Sequence, residues 1–202
     1  MWEICQRYDL LYVADEVVTS FGRLGAFFAS EEVFGMQPDI ITTAKGLTSG
    51  YLPLGACIFS ERIWQVIGEP GKGRCFTHGF TYSGHPVSCV AALKNIEIIE
   101  RENLLAHVEE VGVYMEQRLQ TLAELPLVGS VRCKRLMACV EFVADKRTKA
   151  LLPDALNIAE RIHLRAQAKG LLVRPIGHLN VMSPPLILSL IHISEPTRLL
   201  SI

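Results

Sequence analysis

The stretch LYVADEVVTSFGRLG, residues 11–25, decides the predicted architecture of this chain. A short apolar run over residues 10–14 ends at two carboxylates, Asp15 and Glu16, and a glycine-punctuated segment follows at residues 21–25. This order indicates a buried strand that carries acidic side chains at its carboxyl end. Ligands of open α/β sheets collect at that end of the strands, so Asp15 is a candidate site residue.

A second apolar strand is predicted over residues 39–43, and it leads directly to Lys45. On position alone, Lys45 resembles a solvated surface lysine. A lysine that attacks an aldehyde must first lose its proton, which requires partial burial and a close approach of the backbone. The small neighbours Thr43, Gly46 and Ser49 favour both conditions. Two adjacent strand ends would then carry opposite charges.

The remaining chain predicts a mixed architecture. Further strands are expected at residues 55–59, 128–132, 137–143 and 171–174, and helices at residues 2–8, 61–67, 86–100, 104–125 and 155–169. The predicted fold class is α/β: part of a mostly parallel sheet of a large domain, followed by a small α+β domain. The expected bounds are 1–100 for the large-domain part and 101–187 for the small domain.

Composition restricts the class of partner. The chain of 202 residues has 20 basic and 21 acidic residues, a formal net charge of −1 and 50% hydrophobic residues. This balance gives no electrostatic signature for nucleic acid or an anionic membrane, and no apolar stretch approaches the length of a membrane span. The six cysteines form no CxxC pair, which favours reduced thiols and a cytoplasmic location. Small molecules are the expected partners.

Three motifs occur together: LYVADEVVTSFGRLG at residues 11–25, PDIITTAKGLTSGYLPLGA at residues 38–56, and HGFTYSGHPVSCVAAL at residues 78–93. In this order and spacing the chain resembles the class III aminotransferases, which use pyridoxal 5′-phosphate (PLP) and have the type I fold of PLP-dependent transferases. The resemblance covers residues 1–188. The closing stretch LLVRPIGHLNVMSPPLIL, residues 171–188, is most similar to the amine or ω-amino acid:pyruvate group.

The resemblance implies roles for four residues. Lys45 would form the Schiff base with PLP and be the catalytic lysine. Asp15 would pair with the pyridine nitrogen, whose proton must be held if the ring is to act as an electron sink. Val17 would pack on the ring face. Thr81 would bind the cofactor phosphate of the neighbouring subunit, which implies a homodimer with shared active sites.

Other candidates have two interpretations each. Arg174, at a predicted strand end, suits a substrate carboxylate bidentately, or else forms a surface ion pair. A helix cap is the alternative for Asp15, although a cap would not explain a pairing with Lys45. His78 and His85 are interpreted as structural, because no carboxylate or cysteine completes a metal-ligand set, and no metal is expected.

The expected reaction moves an amino group from an amine or ω-amino acid to a keto acid such as pyruvate. The alternatives are another class III chemistry, an aminomutase or a decarboxylase, or an inactive fragment, since the cofactor-pocket segments that the family places before Asp15 do not precede it here. Two departures stand out, because Cys133 and Arg135 occupy positions where the family commonly has glycines.

The last segment departs from the pattern. LSLIHISEPTR, residues 188–198, resembles the translation of a transposase adapter used in sequencing libraries, so residues 188–202 are expected to be a non-native tail. A genuine amphipathic tail is the alternative.

Overall fold

The computed structural model describes residues 1–68, 73 and 76–194. The chain divides into two compact units. The first consists of Met1–Gly22 and Ala26–Leu105, and the second of Arg23–Gly25 with the chain from Ala106 onward. None of the helices in the described ranges is both long enough and apolar enough to span a bilayer. The predicted domain bounds, including the start of the tail at residue 188, stay predictions.

The first unit is built on a three-stranded mixed sheet. Its elements are α1 (Trp2–Arg7), β1 (Val13–Asp15), α2 (Ala29–Glu32), β2 (Ile40–Thr43), a 3₁₀ turn (Lys45–Leu47), β3 (Ala56–Phe59), α3 (Glu61–Ile67) and α4 (Pro86–Arg101). The strand order is β1-β2-β3, with β1 parallel to β2 and β2 antiparallel to β3. The strands expected at residues 39–43 and 55–59 and the helices expected at 61–67 and 86–100 are thereby confirmed.

The prediction for the first strand was wrong in length and in burial. The strand begins only at Val13, and Leu10, Leu11 and Val13 are exposed while Ala14 is buried. β1 is an edge strand, with β2 as its one partner among the described residues. An apolar run indicates which residues prefer burial, but burial itself needs neighbours on both faces of the strand.

The core of the first unit joins α4 to the turn that contains Lys45. Phe21, Leu47, Ala92 and Ile99 form its buried cluster. The ring of Phe21 meets that of Phe28 edge-on, with centroids 5.7 Å apart. Because Leu47 belongs to this cluster, burial of its side chain holds the turn against α4.

The second unit has an antiparallel four-stranded sheet. Its elements are α5 (Leu104–Gln120, from Ala106 onward), a 3₁₀ helix (Thr121–Glu124), β4 (Val128–Lys134), β5 (Met137–Phe142), a second 3₁₀ helix (Asp154–Leu156), α6 (Ile158–Gln167), β6 (Arg174–Ile176), β7 (Leu179–Met182) and α7 (Leu190–Ser194). The strand order is β4-β5-β7-β6, with all neighbours antiparallel. The predicted β4–β5 pair is confirmed.

Three expectations for this unit need correction. The helix predicted to reach residue 125 ends at Gln120, and the strand predicted at residues 171–174 begins only at Arg174. β7 was missed. It follows β6 after a two-residue loop in which Gly177 has φ 57°, and glycine at the first position of such a loop is a hairpin signal that the sequence offered.

One face of this sheet is buried. Alternate residues of β5, Ala138, Val140 and Phe142, are each at most 5% exposed. Ala138 packs in a cluster with Val108, Val111 and Met115 of α5, whereas Val140 and Phe142 pack in a second cluster with Ala159 of α6. Strand alternation therefore orients β5 toward the helical layer.

Arg23 attaches its short segment to the second unit. Its guanidinium donates to the carbonyl oxygens of Leu136, at 3.1 Å, and Pro184. Burial lowers the pKa of Arg23 below its usual value. Two residues on, Gly25 has φ 83°, and a Cβ at that position would lie 3.2 Å from a carboxylate oxygen of Glu109. The segment thus fits closely against α5 and the β4–β5 turn.

The structure explains the departure from glycine at Arg135. This residue is the first of two between β4 and β5 and keeps the left-handed conformation that favours glycine, φ 49°. Its backbone N–H donates to Glu116 Oε1 at 2.6 Å, and its guanidinium pairs with Glu109 and Glu116. Gly112 lies between these two acids on α5, and a Cβ there would come within 2.7 Å of the Arg135 Cα. Ion pairs to one helix face therefore offset the unfavourable conformation.

We expect Arg135→Ala to destabilise the protein by about 1–3 kcal/mol, because it removes the charged hydrogen bonds and keeps a Cβ in the left-handed region. Arg135→Gly loses the same bonds but relieves the backbone, so it should be more stable than the alanine variant by about 1 kcal/mol. Urea unfolding of both variants measures the difference. A glycine variant less stable than the alanine variant would contradict this account.

Candidate active site

The parallel pairing of β1 with β2 brings the two predicted site residues to one edge of the sheet. Asp15 is the last residue of β1 and is opposite Thr42 of β2. β2 ends at Thr43, and Lys45 begins the turn that follows. A carboxylate at the end of one strand and a primary amine just beyond the end of its neighbour thus lie where open α/β sheets bind ligands.

The side chain of Asp15 is exposed, whereas the sequence interpretation expected a buried carboxylate. Its Oδ1 accepts one hydrogen bond, from the backbone N–H of Val17 at 3.1 Å. No ion pair to Asp15 is formed by any described residue, Lys45 included. Its carboxylate therefore retains the capacity to accept further hydrogen bonds.

The buried acid is the neighbouring Glu16, 3% exposed. Its two oxygens accept the backbone N–H groups of Ala29 and Ser30, each at 2.7 Å, as well as the hydroxyls of Ser30 and Thr19. These N–H groups open α2 and have no partner within the helix. The capping role that was weighed for Asp15 thus belongs to Glu16.

Lys45 has an exposed side chain on a strained backbone. Its φ of 36° lies in the left-handed region, which residues with a Cβ rarely adopt. The expected close backbone approach is present next to it, because a Cβ on Gly46 would lie 3.1 Å from the Ser20 carbonyl oxygen and 3.1 Å from the Phe21 Cβ. A buried hydroxyl pair, Ser20 Oγ to Thr43 Oγ1 at 2.6 Å, joins the same two segments.

The other predicted residues lie in three places. Val17 is half-buried, two residues beyond Asp15. Thr81 is exposed and begins the turn that precedes α4 in the first unit. Arg174 begins β6 in the second unit and is exposed. Within the described ranges its guanidinium forms no ion pair, so the alternative of a surface ion pair has no support there.

The two histidines that flank Thr81 have aromatic neighbours. The ring of His78 lies between those of Phe76 and Phe80, with centroids 5.8 and 5.5 Å away. His85 meets Tyr82 at 6.3 Å. In the part of the chain that the structure describes, no three His, Cys, Asp or Glu side chains cluster as metal ligands.

A separate polar cavity lies next to the starts of β1 and β2, away from Lys45. Trp2, Tyr12, Asp39 and Arg62 contribute to its lining. The charges there are already paired, since Asp39 accepts the Tyr12 N–H at 2.9 Å and Arg62 bonds to Asp9 at 2.7 Å. The charged side chains Asp39 and Arg62 therefore already have partners, and the cavity lies away from the ligand-binding edge of the sheet.

Sequence reasoning missed one residue of this region, Asn95 of α4. Its Nδ2 donates to the carbonyl oxygens of Gly46, at 2.8 Å, and Leu47, at 3.2 Å. The signal available was a polar residue with helix-breaking tendency in the middle of an apolar helix face.

Comparison with known proteins matches residues 1–201 to the family described as aminotransferase class III. The chain belongs to the class III aminotransferase family. The predicted family is confirmed. A putrescine–pyruvate aminotransferase of Pseudomonas aeruginosa is 40% identical over 195 residues, which cover 96% of this chain and 41% of that protein. The chain therefore spans about two fifths of the length of this relative.

Solved structures of the family superpose closely. An amine transaminase from an uncultivated Pseudomonas species, in its PLP-bound form, has a TM-score of 0.87 and 45% identity over 93% of this chain and 42% of its own. An (S)-enantioselective ω-transaminase from Thermomicrobium roseum has a TM-score of 0.87 and 41% identity over 94% of this chain and 42% of its own. The predicted fold class is confirmed, and PLP is confirmed as the cofactor of the family.

We expect the two adjacent acids to respond differently to loss of charge. Glu16→Gln places an amide nitrogen against backbone donors and should cost about 1–3 kcal/mol of unfolding free energy. Asp15→Asn keeps an oxygen for the Val17 N–H on an exposed side chain and should change stability by less than about 0.5 kcal/mol. Urea unfolding of the two variants tests this, and equal losses would refute the assignment of the cap to Glu16.

Proposed function

We propose that this chain is the part carrying the catalytic lysine of a PLP-dependent aminotransferase that moves an amino group from an amine or ω-amino acid to a keto acid such as pyruvate. The observation that carries the proposal is the placement of Asp15 at the end of β1 and of Lys45 just beyond the end of β2, its parallel partner. The substrate class is supported by relatives whose names are putrescine–pyruvate aminotransferase and amine transaminase.

The groups present fit the cofactor. A primary amine is the group that condenses with the aldehyde of PLP, and a carboxylate is the group that retains the proton of a pyridinium nitrogen. Asp15 is free of ion pairs to the described residues and accepts only the Val17 N–H among them. Bound PLP would supply an electron sink for the carbon from which the proton is removed.

Each residue then has a defined task. Lys45 would hold PLP covalently through its amine, and the same amine, once free, would act as general base and acid by taking the proton from the substrate carbon and delivering it to the cofactor. Asp15 would accept a charge-assisted hydrogen bond from the pyridinium N–H. Val17, half-buried beside Asp15, would contact the ring face. The side chain of Lys45 is exposed. Loss of the proton from its amine would therefore rely on desolvation by bound PLP and by the rest of the enzyme.

A homodimer with Thr81 bound to the cofactor phosphate of the neighbouring subunit is part of this proposal. Large apolar side chains around Thr81 and along the start of α4 are exposed: Phe80 at 76%, Tyr82 at 80%, Val90 at 63% and Leu93 at 68%. Exposed apolar groups of this size favour burial against another protein surface. A monomeric complete enzyme in analytical ultracentrifugation would contradict this part of the proposal.

We expect Lys45→Ala in the full-length enzyme to abolish attachment of PLP and both half-reactions. Lys134→Ala is the matched control, because Lys134 is an exposed lysine at the end of β4 in the second unit. Borohydride reduction followed by peptide mapping should place the pyridoxyl label on Lys45 in the native and control proteins. Asp15→Asn should lower turnover strongly while attachment persists. A pyridoxyl label on another lysine would overturn the assignment of Lys45 as the catalytic lysine. If the full-length enzyme instead rearranged or decarboxylated its substrate, it would carry out another class III chemistry.

Arg174 is proposed to bind the carboxylate of the keto acid. Arg174→Ala should raise the Michaelis constant for pyruvate by roughly tenfold to a hundredfold, since a charge-assisted hydrogen bond contributes about 1.5–3 kcal/mol. An amine without a carboxylate needs no such partner, so its half-reaction, followed by cofactor absorbance in a single turnover, should be preserved. Equal damage to both half-reactions would place Arg174 in a purely structural role.

A further inference from the structure

The backbone around Lys45 is unusual over six residues. Lys45, Ser49 and Gly50 all have positive φ, 36°, 53° and 77°. The turn forms its own backbone hydrogen bonds, but most are long: Leu47 N donates to Ala44 O at 2.9 Å, Thr48 N and Gly50 N to Lys45 O at 3.3 and 3.2 Å, and Ser49 N to Gly46 O at 3.3 Å. A strained backbone persists only where the surrounding structure over-determines it. These long bonds leave part of the support for Lys45 to contacts from outside residues 45–50.

On one side, that support is the side chain of Asn95. Its Nδ2 donates to Gly46 O at 2.8 Å and to Leu47 O at 3.2 Å, the two carbonyls that follow Lys45. Both neighbours are acceptors only, so the nitrogen of the amide has to face them. Asn95 lies between Ala92 and Ile99 on α4, and both of these are buried in the cluster that also contains Leu47. The Asn95 amide thus projects from a helix that is packed against the same cluster as the turn.

On the other side, Gly46 lies against the segment that follows β1. The position of its absent Cβ is 3.1 Å from both Ser20 O and Phe21 Cβ. The turn is therefore held between Asn95 and residues 20–21. A shift of the turn toward either side would change where the Lys45 amine lies relative to the end of β1.

We propose that Asn95 is a positioning residue for the reaction, which acts through the carbonyls of Gly46 and Leu47 to set the place of the Lys45 amine. The inference rests on the proposed role of Lys45. Displacement of a reacting group by about 1 Å lowers a rate by as much as a hundredfold. Two side-chain bonds to the turn next to the reacting lysine are thus sufficient to influence the rate.

The test uses the full-length enzyme carrying Asn95→Asp, which keeps the shape of the side chain and places a carboxylate against two carbonyl oxygens. Asn95→Leu removes the bonds without adding charge and serves if the aspartate variant does not fold. Asn103→Asp is the matched control, because Asn103 is exposed just after α4 and undergoes the same chemical change.

Three measurements are expected to agree. Amide exchange over residues 44–50 of the cofactor-free protein should accelerate, while exchange in the flanking strands and in α4 stays unchanged. The single-turnover rate with an amine should fall about tenfold to a hundredfold, with the Michaelis constant for the keto acid unchanged. The pyridoxyl label should stay on Lys45.

Either of two results would overturn the inference: a single-turnover rate equal to that of Asn103→Asp, or a slowed rate without faster exchange over residues 44–50. Failure of the proposed function is distinguishable from both. It would appear in the native enzyme as a label on a lysine other than Lys45, whereas failure of the present inference leaves that label in place.

Discussion

The parallel pairing of β1 with β2 is the constraint on which the rest of the site depends. It places Asp15 opposite Thr42, and the segments that follow β1 and β2 both leave the sheet at the same edge. The hydroxyl pair of Ser20 with Thr43 and the close approach of Gly46 to residues 20–21 continue this contact beyond the last strand residues. Two side chains thirty positions apart thereby reach the same ligand-binding edge.

The adjacent acids Asp15 and Glu16 differ in burial, and this gives them different roles. Glu16 is buried and accepts hydrogen bonds from the first N–H groups of α2, which are charge-assisted and favourable for an ionised carboxylate. Asp15 points to the other side of the chain, because successive side chains alternate at a strand end, and it is exposed. The same residue pair therefore supplies one acid that organises the loop and one that is available to a ligand.

The second unit shows how a substitution at a turn can be accommodated. Arg135 occupies a left-handed position that favours glycine, and its bonds to Glu109 and Glu116 raise its own pKa above the usual value for arginine. The hydrogen bond from Arg135 also lowers the pKa of Glu109. The pair with Glu109 is stabilising where Glu109 is ionised, so its contribution is lost as pH falls below the ordinary value of 4.5 and through the lowered pKa of this carboxyl. Gly112 allows the approach of α5 that makes the pairs possible.

The sequence by itself determined the family, the strands β2 and β3, and the helices α3 and α4, because apolar periodicity and the residues of each motif can be recognised along the chain without its tertiary contacts. Tertiary structure alone decided which acid is buried, since burial depends on what covers β1 and what α2 requires. It also decided the hydrogen-bond partners of Asn95. These are the carbonyls of Gly46 and Leu47, which lie 49 and 48 residues before Asn95 in the chain. No periodicity encodes such a contact. It arises only when α4 packs on the turn and brings an amide within hydrogen-bonding distance of two carbonyls.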